Sequence, residues 1–147
     1  ELGTVESLRE KFRVLPLGLD LAAFEAHRPD HPATGRPLIL WNHRWEYDKN
    51  PEAFFRAVYA LADEGLEFGL VLLGESFRNQ PVEFLQARQR LADRILQFGY
   101  AEDPAAYARL LWQSDIVVST ALHEFFGAAI VEACYCGCFP ILPRRLT

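Results

Sequence analysis

The sequence predicts an α/β fold, a Rossmann-like parallel sheet with helices on both faces. Short continuous runs of valine, isoleucine and leucine recur along the chain, which is typical of strands buried on both sides. Between these runs lie segments with apolar residues at helical spacing. Two of those segments start with Asn50-Pro51 and Asp103-Pro104, pairs that favour the first turn of a helix. Strands that alternate with helices in this way form parallel sheets.

Five strands and four helices are predicted in order. The strands are expected at residues 37–41, 68–73, 94–98, 115–119 and 138–142. The helices are expected from Asn50-Pro51 to a stop at Gly65, at 81–95, from Asp103-Pro104 onward and at 126–135. The expected apolar face of the second helix is Phe84, Leu85, Ala87 and Leu91, and that of the third is Tyr107, Leu110, Leu111 and Trp112.

The 147 residues fit a single domain. Residues 1–36 do not show the alternation of strands and helices, and their only predicted element is a short helical piece at 6–12. We interpret them as an interdomain linker that leads into the domain. Residues 37–147 form the domain itself. The chain has no initiating methionine and stops at Thr147 directly after a strand, so we expect a fragment that is truncated at its carboxyl end.

Composition narrows the class of function. A net charge of −5 argues against holding a polyanion across the whole surface. No apolar run approaches the roughly 20 residues that cross a bilayer. The first residues carry no basic segment followed by an apolar one, so they are not a signal peptide, and we expect a cytoplasmic protein with no membrane contact. Three cysteines within five residues form neither a disulfide framework nor a zinc site. They are interpreted as small buried side chains in a reducing compartment.

Polar residues follow the first and fourth predicted strands, and ligands bind at the carboxyl ends of parallel strands. Arg44 and Lys49 place two cations in one loop, which suits a diphosphate, although such loop cations are also commonly solvated. Glu124 and Gly127 precede a helix whose free N–H groups attract anions, and Glu124 could equally be a helix cap. Glu132 stands among apolar residues of that helix and needs hydrogen-bond donors unless it faces solvent.

Familiar cofactor signatures are missing from the chain. No Gly-x-Gly-x-x-Gly follows a strand and no Gly-Lys-Ser/Thr loop occurs, so neither a dinucleotide site nor a P-loop is predicted. No histidine pair has metal-ligand spacing. We therefore expect no metal and no bound cofactor.

The order of these segments resembles the carboxy-terminal domain of the retaining GT-B glycosyltransferases of family 4. The resemblance runs from Val14 through Arg44 and Lys49, Leu73-Gly74-Glu75, Phe98-Gly99-Tyr100 and 115–119 to Gly137 and Pro140. Its most specific part is the pair Glu124 and Glu132, eight residues apart, followed by a turn from Gly137 to Pro140. It implies the C-terminal half of a GT-B fold, a nucleotide-sugar donor and a separate N-terminal acceptor domain.

The resemblance also implies roles for individual residues. Glu132 would hold the nucleotide ribose, and Glu124 would contact hydroxyls of the transferred sugar. The backbone of Phe125, Phe126 and Gly127 would face the phosphates or the sugar. Arg44 and Lys49 would neutralise the leaving diphosphate in place of a metal. Tyr100 is a candidate for contact with the base, and Arg44, Lys49 and Glu124 are the candidate catalytic residues.

One departure from the family pattern narrows the resemblance. The family usually has glycine before the diphosphate arginine, whereas this chain has His43. The runs 41–54 and 119–132 are similar to a narrower group, the tRNA-queuosine mannosyltransferases, which implies GDP-mannose as donor and queuosine in tRNA as acceptor of the full-length enzyme. The isolated fragment would bind donor without transferring it. The alternatives are a family-4 transferase acting on a lipid or polysaccharide, a non-catalytic nucleotide-binding module, and an oxidoreductase domain, which the missing glycine fingerprint disfavours.

Overall fold

The structure, a computed structural model, describes residues 9, 11–30, 35–75 and 81–144. They form one sheet with the strands β1 (Leu38–Asn42), β2 (Gly69–Leu73), β3 (Ile95–Gly99), β4 (Ile116–Val118) and β5 (Phe139–Ile141). The helices between them are α1 (Pro51–Asp63), α2 (Val82–Arg90), α3 (Pro104–Gln113) and α4 (Ala128–Tyr135). All four strand pairings are parallel, which confirms the predicted fold class.

The strand order in the sheet is β3-β2-β1-β4-β5. The chain moves outward from β1 to β3, then returns to place β4 on the other side of β1. The direction of winding therefore reverses between β1 and β4. In open parallel sheets such a reversal opens a crevice at the carboxyl ends of the two strands, and ligands bind there. The loops that follow β1 and β4 carry most of the predicted site residues.

The core has two halves, one on each face of the sheet. Leu40 and Trp41 are adjacent in β1 and both fully buried, but they point to opposite faces, as neighbours in a strand must. On one face Trp41 packs with Phe54, Phe55 and Phe84 of α1 and α2. On the other face Leu40 belongs to a cluster with α3 and α4. Burial on both faces explains the continuous apolar runs of β1 and β2, whereas the residues of the edge strand β5 are exposed.

Both predicted helix starts are present. The side chain of Asn50 accepts a hydrogen bond from the amide of Ala53 at 3.4 Å, and Pro51 is the first residue of α1. The carboxylate of Asp103 accepts hydrogen bonds from the amides of Ala105 and Ala106, each at 3.1 Å. These caps satisfy amides that have no partner inside the helix.

Four expectations about element ends and burial were wrong. Helix α2 ends at Arg90 rather than near residue 95, because the backbone leaves the helical region at Leu91 (φ −120°). Leu85 is about half exposed, since the buried stripe of this short helix takes only Phe84 and Ala87. Helix α4 begins at Ala128 rather than at residue 126. Among the cysteines, Cys136 and Cys138 are buried as expected, but Cys134 is exposed.

A 3₁₀ helix at Leu21–His27 precedes β1 and packs against α3. The indole N–H of Trp112 donates to the carbonyl of Phe24 at 2.9 Å, and the Tyr135 hydroxyl donates to Glu25 at 2.9 Å. The helical piece predicted at 6–12 lies largely outside the described residues. Within the described part of the chain, no helix is long and apolar enough to span a membrane.

Candidate functional site

A cleft of about 370 Å³ opens at the carboxyl edge of the sheet. The loops after β1, β2 and β3 form its walls, and the first turns of α3 and α4 complete it. Its lining residues are Asn42, His43, Arg44, Leu73, Gly74, Glu75, Tyr100, Ala101, Glu102, Pro104, Tyr107 and Ala129. Three loops that are far apart in the sequence thus converge beside the reversal of the sheet.

Lys49 is a buried cation next to this cleft, with only 8% of its side chain exposed. Its Nζ donates to the carbonyl of His123 at 2.8 Å and to Oε2 of Glu124 at 3.2 Å. Oδ2 of Asp48 lies 3.4 Å from the same nitrogen. Two of the predicted site residues, Lys49 and Glu124, are therefore ion-paired although 75 positions separate them.

The backbone fixes the two loops that carry this pair. The amide of Leu122 donates to the carbonyl of Asp48 at 2.7 Å, and the hydroxyl of Thr120 donates to the carbonyl of Lys49 at 2.8 Å. The indole N–H of Trp41 reaches the same hydroxyl at 3.2 Å. The loop after β1 is thereby tied to the loop after β4. Lys49 is consequently held in place by its main chain as well as by its charge.

Arg44 is exposed to solvent, whereas Lys49 is buried. More than half of its side chain is exposed, and its one described partner is Glu46, with Nη1 2.9 Å from Oε1. An exposed pair of this kind contributes little to stability, because water screens it. Arg44 lines the cleft, so its guanidinium is available to exchange Glu46 for an incoming anion.

Glu132 is held by a tyrosine that the sequence analysis assigned to the core. The hydroxyl of Tyr107 donates to Oε2 of Glu132 at 2.6 Å and accepts from Nδ2 of Asn42 at 2.8 Å. Burial, together with this hydrogen bond to Glu132, raises the pKa of Tyr107 far above its ordinary value. Tyr107 was missed as a site residue because its spacing fits an apolar helix face. The polar Asn42 at the end of a buried strand was the available signal.

The segment before α4 carries two exposed aromatic side chains and a glycine. Gly127 adopts a left-handed conformation (φ 75°), which allows the chain to turn into the helix. The ring of Phe125 is fully exposed and that of Phe126 is about half exposed, so neither packs into the core. Ala129, in the first turn of α4, lines the cleft. The amide end of the helix therefore faces the cleft and favours negative charge there.

Tyr100 follows β3 and lines the cleft with most of its side chain exposed. It stands beside Ala101 and Glu102 in the third loop. An exposed aromatic ring at the mouth of a cleft offers a flat surface on which a base can stack. The position agrees with the contact to the base that the sequence suggested, and that role stays a prediction.

His43 is a buried polar residue at the cleft, with 3% of its side chain exposed. Its Nδ1 lies 3.8 Å from Oε2 of Glu124, and its ring meets that of Trp41 edge-on at 5.0 Å. Burial lowers the pKa of His43 to about 4; Glu124 opposes this effect and Lys49 adds to it. The imidazole is therefore neutral near pH 7. Its Nε2 has no hydrogen-bond partner among the described residues.

The model of the protein family described as "Glycosyl transferases group 1" matches residues 23–144. The match covers most of the chain and includes every residue that lines the cleft. The chain belongs to the glycosyl transferases group 1 family. The match begins within the 3₁₀ helix Leu21–His27 and extends past β5.

Two curated relatives are mannosyltransferases by name. The tRNA-queuosine alpha-mannosyltransferase of Drosophila melanogaster is 41% identical over 108 residues, which is 74% of this chain and 28% of that protein. The GDP-mannose-dependent alpha-(1-6)-phosphatidylinositol dimannoside mannosyltransferase of Mycobacterium tuberculosis is 30% identical over 136 residues, 88% of this chain and 35% of that protein. The chain thus spans about a third or less of the length of these relatives.

Solved structures agree with the group 1 assignment at the level of fold. The C-terminal domain of a glycosyl transferase group 1 family protein from Francisella tularensis superposes with a TM-score of 0.66 at 20% identity, covering 85% of this chain and 70% of that one. Sucrose-phosphate synthase from Thermosynechococcus elongatus superposes with a TM-score of 0.67 at 25% identity, covering 88% and 34%. The fold is that of the C-terminal half of a GT-B glycosyltransferase, as predicted.

Proposed function

We propose that this domain binds GDP-mannose as the donor half of a retaining mannosyltransferase that acts on queuosine in tRNA. One observation carries the proposal. An exposed arginine lines a cleft at the reversal of a parallel sheet, a tyrosine in the cleft wall holds a glutamate, and a buried lysine–glutamate pair lies next to the cleft. This arrangement supports the proposal, because a nucleotide diphosphate sugar needs groups that can bind anions close to groups that can bind hydroxyls.

The diphosphate would lie between Arg44 and the amide end of α4. Arg44 offers a planar fork of N–H donors, and the helix adds a partial positive charge. Lys49, already paired with Glu124, supplies a fixed positive charge behind them. As the bond between sugar and diphosphate breaks, negative charge grows on the leaving phosphate. Lys49 and the helix dipole are already in place to stabilise that charge, and Arg44 would add its own once it has exchanged Glu46 for the phosphate, so these groups would replace a metal.

The ribose would bind Glu132. Tyr107 donates a hydrogen bond to one oxygen of this carboxylate, and the other oxygen has no hydrogen-bond partner among the described residues. A carboxylate that accepts from a ribose hydroxyl forms a charge-assisted hydrogen bond. Tyr107 orients the carboxylate and does not itself need to touch the nucleotide. Glu124, which is 29% exposed, would take hydroxyls of the sugar.

The donor and the acceptor are proposed from the relatives. Both curated proteins are mannosyltransferases by name, and one is named as GDP-mannose-dependent. The higher identity, 41% against 30%, favours the queuosine acceptor over a phosphatidylinositol one. The net charge of −5 gives this domain little attraction for tRNA phosphates, so we propose that other residues of the full-length enzyme bind the tRNA.

Calorimetric titration of this chain with GDP and with guanosine tests the donor site. We expect Arg44→Gln to weaken GDP by about 10- to 100-fold and to leave guanosine unchanged, since only GDP carries phosphates. Glu132→Gln should weaken both ligands, because both carry the ribose. Arg109→Gln is the matched control, since Arg109 forms a similar exposed pair with Asp103 on α3.

Equal losses for GDP and guanosine in Arg44→Gln would reject the phosphate role. Tighter binding of UDP than of GDP would reject the proposed base. The acceptor is tested in the full-length enzyme, where radiolabelled mannose should pass from GDP-mannose to tRNA that contains queuosine. Transfer to phosphatidylinositol mannoside instead would reject the tRNA assignment and support the lipid alternative.

A further inference from the structure

His43 carries an unmet hydrogen-bonding group at the wall of the cleft. Its side chain is 3% exposed, and Nε2 has neither solvent nor a partner among the described residues. A buried polar atom without a partner destabilises a fold, so native proteins rarely keep one without a use for it. His43 lines the cleft proposed to bind the donor, which makes a ligand the natural source of the missing partner.

The surroundings of the ring decide which nitrogen carries the proton. Nδ1 faces the carboxylate of Glu124 at 3.8 Å, too far for a hydrogen bond but close enough for the charge to favour a proton on that nitrogen. The ring is neutral near pH 7 because burial lowers the pKa of His43 to about 4. Nε2 of this tautomer therefore carries a lone pair and accepts a hydrogen bond rather than donating one.

We propose that His43 recognises the transferred sugar, with Nε2 accepting a hydrogen bond from a sugar hydroxyl beside the Glu124 carboxylate. The inference rests on the proposed function, since it takes the cleft to bind a nucleotide sugar. It assigns a sugar-selective role to the position where the sequence departs from the family pattern. Because neighbouring atoms cover Nε2 in the structure, binding of the sugar would require the imidazole to turn this nitrogen toward the cleft.

A hydroxyl fits this position better than a phosphate. A phosphate oxygen has no proton to donate at neutral pH, and the lone pair of Nε2 would repel it. The neighbouring cations already serve the phosphates: Arg44 is the next residue, and the pair of Lys49 and Glu124 adjoins the ring. Hydrogen bonds to uncharged hydroxyls also discriminate strongly between sugars, because the wrong sugar leaves a buried group unpaired.

The experiment compares GDP-mannose with GDP, two ligands that differ only by the sugar. Each is titrated into this chain, the variant His43→Phe and the control His27→Phe, which changes a histidine in the 3₁₀ helix outside the cleft. Phenylalanine keeps a planar ring but offers no acceptor. We expect His43→Phe to weaken GDP-mannose by about 10-fold while GDP changes by less than about 2-fold. The control should leave both ligands unchanged.

The two proposals fail in different ways. If the wild-type chain binds neither GDP nor GDP-mannose, the proposed function itself is wrong. If the wild type binds both and folded His43→Phe weakens them equally, the donor site stands and the role of His43 is overturned.

A second measurement needs no variant in this site. In ¹⁵N-histidine-labelled wild-type chain, the Nε2 resonance of His43 should move on addition of GDP-mannose, because its lone pair gains a proton donor. GDP should leave that resonance nearly unchanged. A shift of equal size with GDP would overturn the inference even where His43→Phe does not fold.

Discussion

The two cations that the sequence placed together in one loop should behave very differently when removed. Lys49→Met keeps the aliphatic stem but deletes a charge that lies 3.2 Å from Glu124 and 3.4 Å from Asp48. Breaking a buried ion pair costs about 3–5 kcal/mol, because the remaining charge is left unpaired. Glu124 keeps 29% of its side chain exposed, so water recovers part of this loss. We expect a loss of about 2–4 kcal/mol in the free energy of unfolding.

Urea unfolding at neutral pH measures this loss, and a thermal scan should show a melting temperature lower by about 10 °C. Arg44→Met is the matched control: its pair with Glu46 is exposed, so the loss should stay under about 1 kcal/mol. The double variant Lys49→Met/Glu124→Gln should recover at least about 1 kcal/mol, since it removes the stranded carboxylate. Equal losses of unfolding free energy for Lys49→Met and Arg44→Met would refute the reasoning, because the burial of Lys49 would then make no difference to stability.

Two further predictions concern neighbouring positions. Gly74→Ala should lower the free energy of unfolding by more than about 3 kcal/mol, because a Cβ there would overlap the backbone oxygen of His43. In the control Gly18→Ala the new Cβ meets open space, so the free energy of unfolding should change by less than about 0.5 kcal/mol. Similar urea midpoints for the two variants would contradict this prediction. The folded pKa of His43 is depressed to about 4, so its contribution to stability is present above pH 6.5 and is lost as the pH falls toward about 4. Between about pH 7.5 and about pH 5 the wild type should therefore lose about 2 kcal/mol more than His43→Phe in urea unfolding, and parallel pH profiles would show that another group is responsible.

The strands and helices could be predicted from the sequence because the local residue patterns agree with the fold that the chain adopts. Continuous apolar runs gave all five strands to within about two residues at either end, and Asn50 and Asp103 marked two helix starts. The end of α2 was not accessible, since Leu91 continues the apolar spacing although its backbone has already left the helix. Helical periodicity predicts which residues share one face of a helix, but it does not predict the residue at which the helix ends.

The sequence predicted which residues belong to the candidate site, but it did not predict which of them contact one another. The order of strands brings Lys49 to Glu124, and a pairing across 75 positions leaves no trace in local spacing. The role of Tyr107 was hidden for a related reason, since the helix face that carries it is apolar in pattern and its hydroxyl meets Glu132 only in the folded sheet. Resemblance supplied the names of the residues, and the structure supplied the arrangement of their charges.

The hydrogen bonds between the loops after β1 and β4 restrict how this site can change over evolution. Surface loops ordinarily tolerate insertions and deletions. Here the carbonyls of Asp48 and Lys49 are held by Leu122 and Thr120, so an insertion in one loop would pull on the other. The two loops must therefore keep matching lengths, or change length together. Length differences between this chain and its relatives should gather instead at connections such as the turn at Gly65, which faces open space.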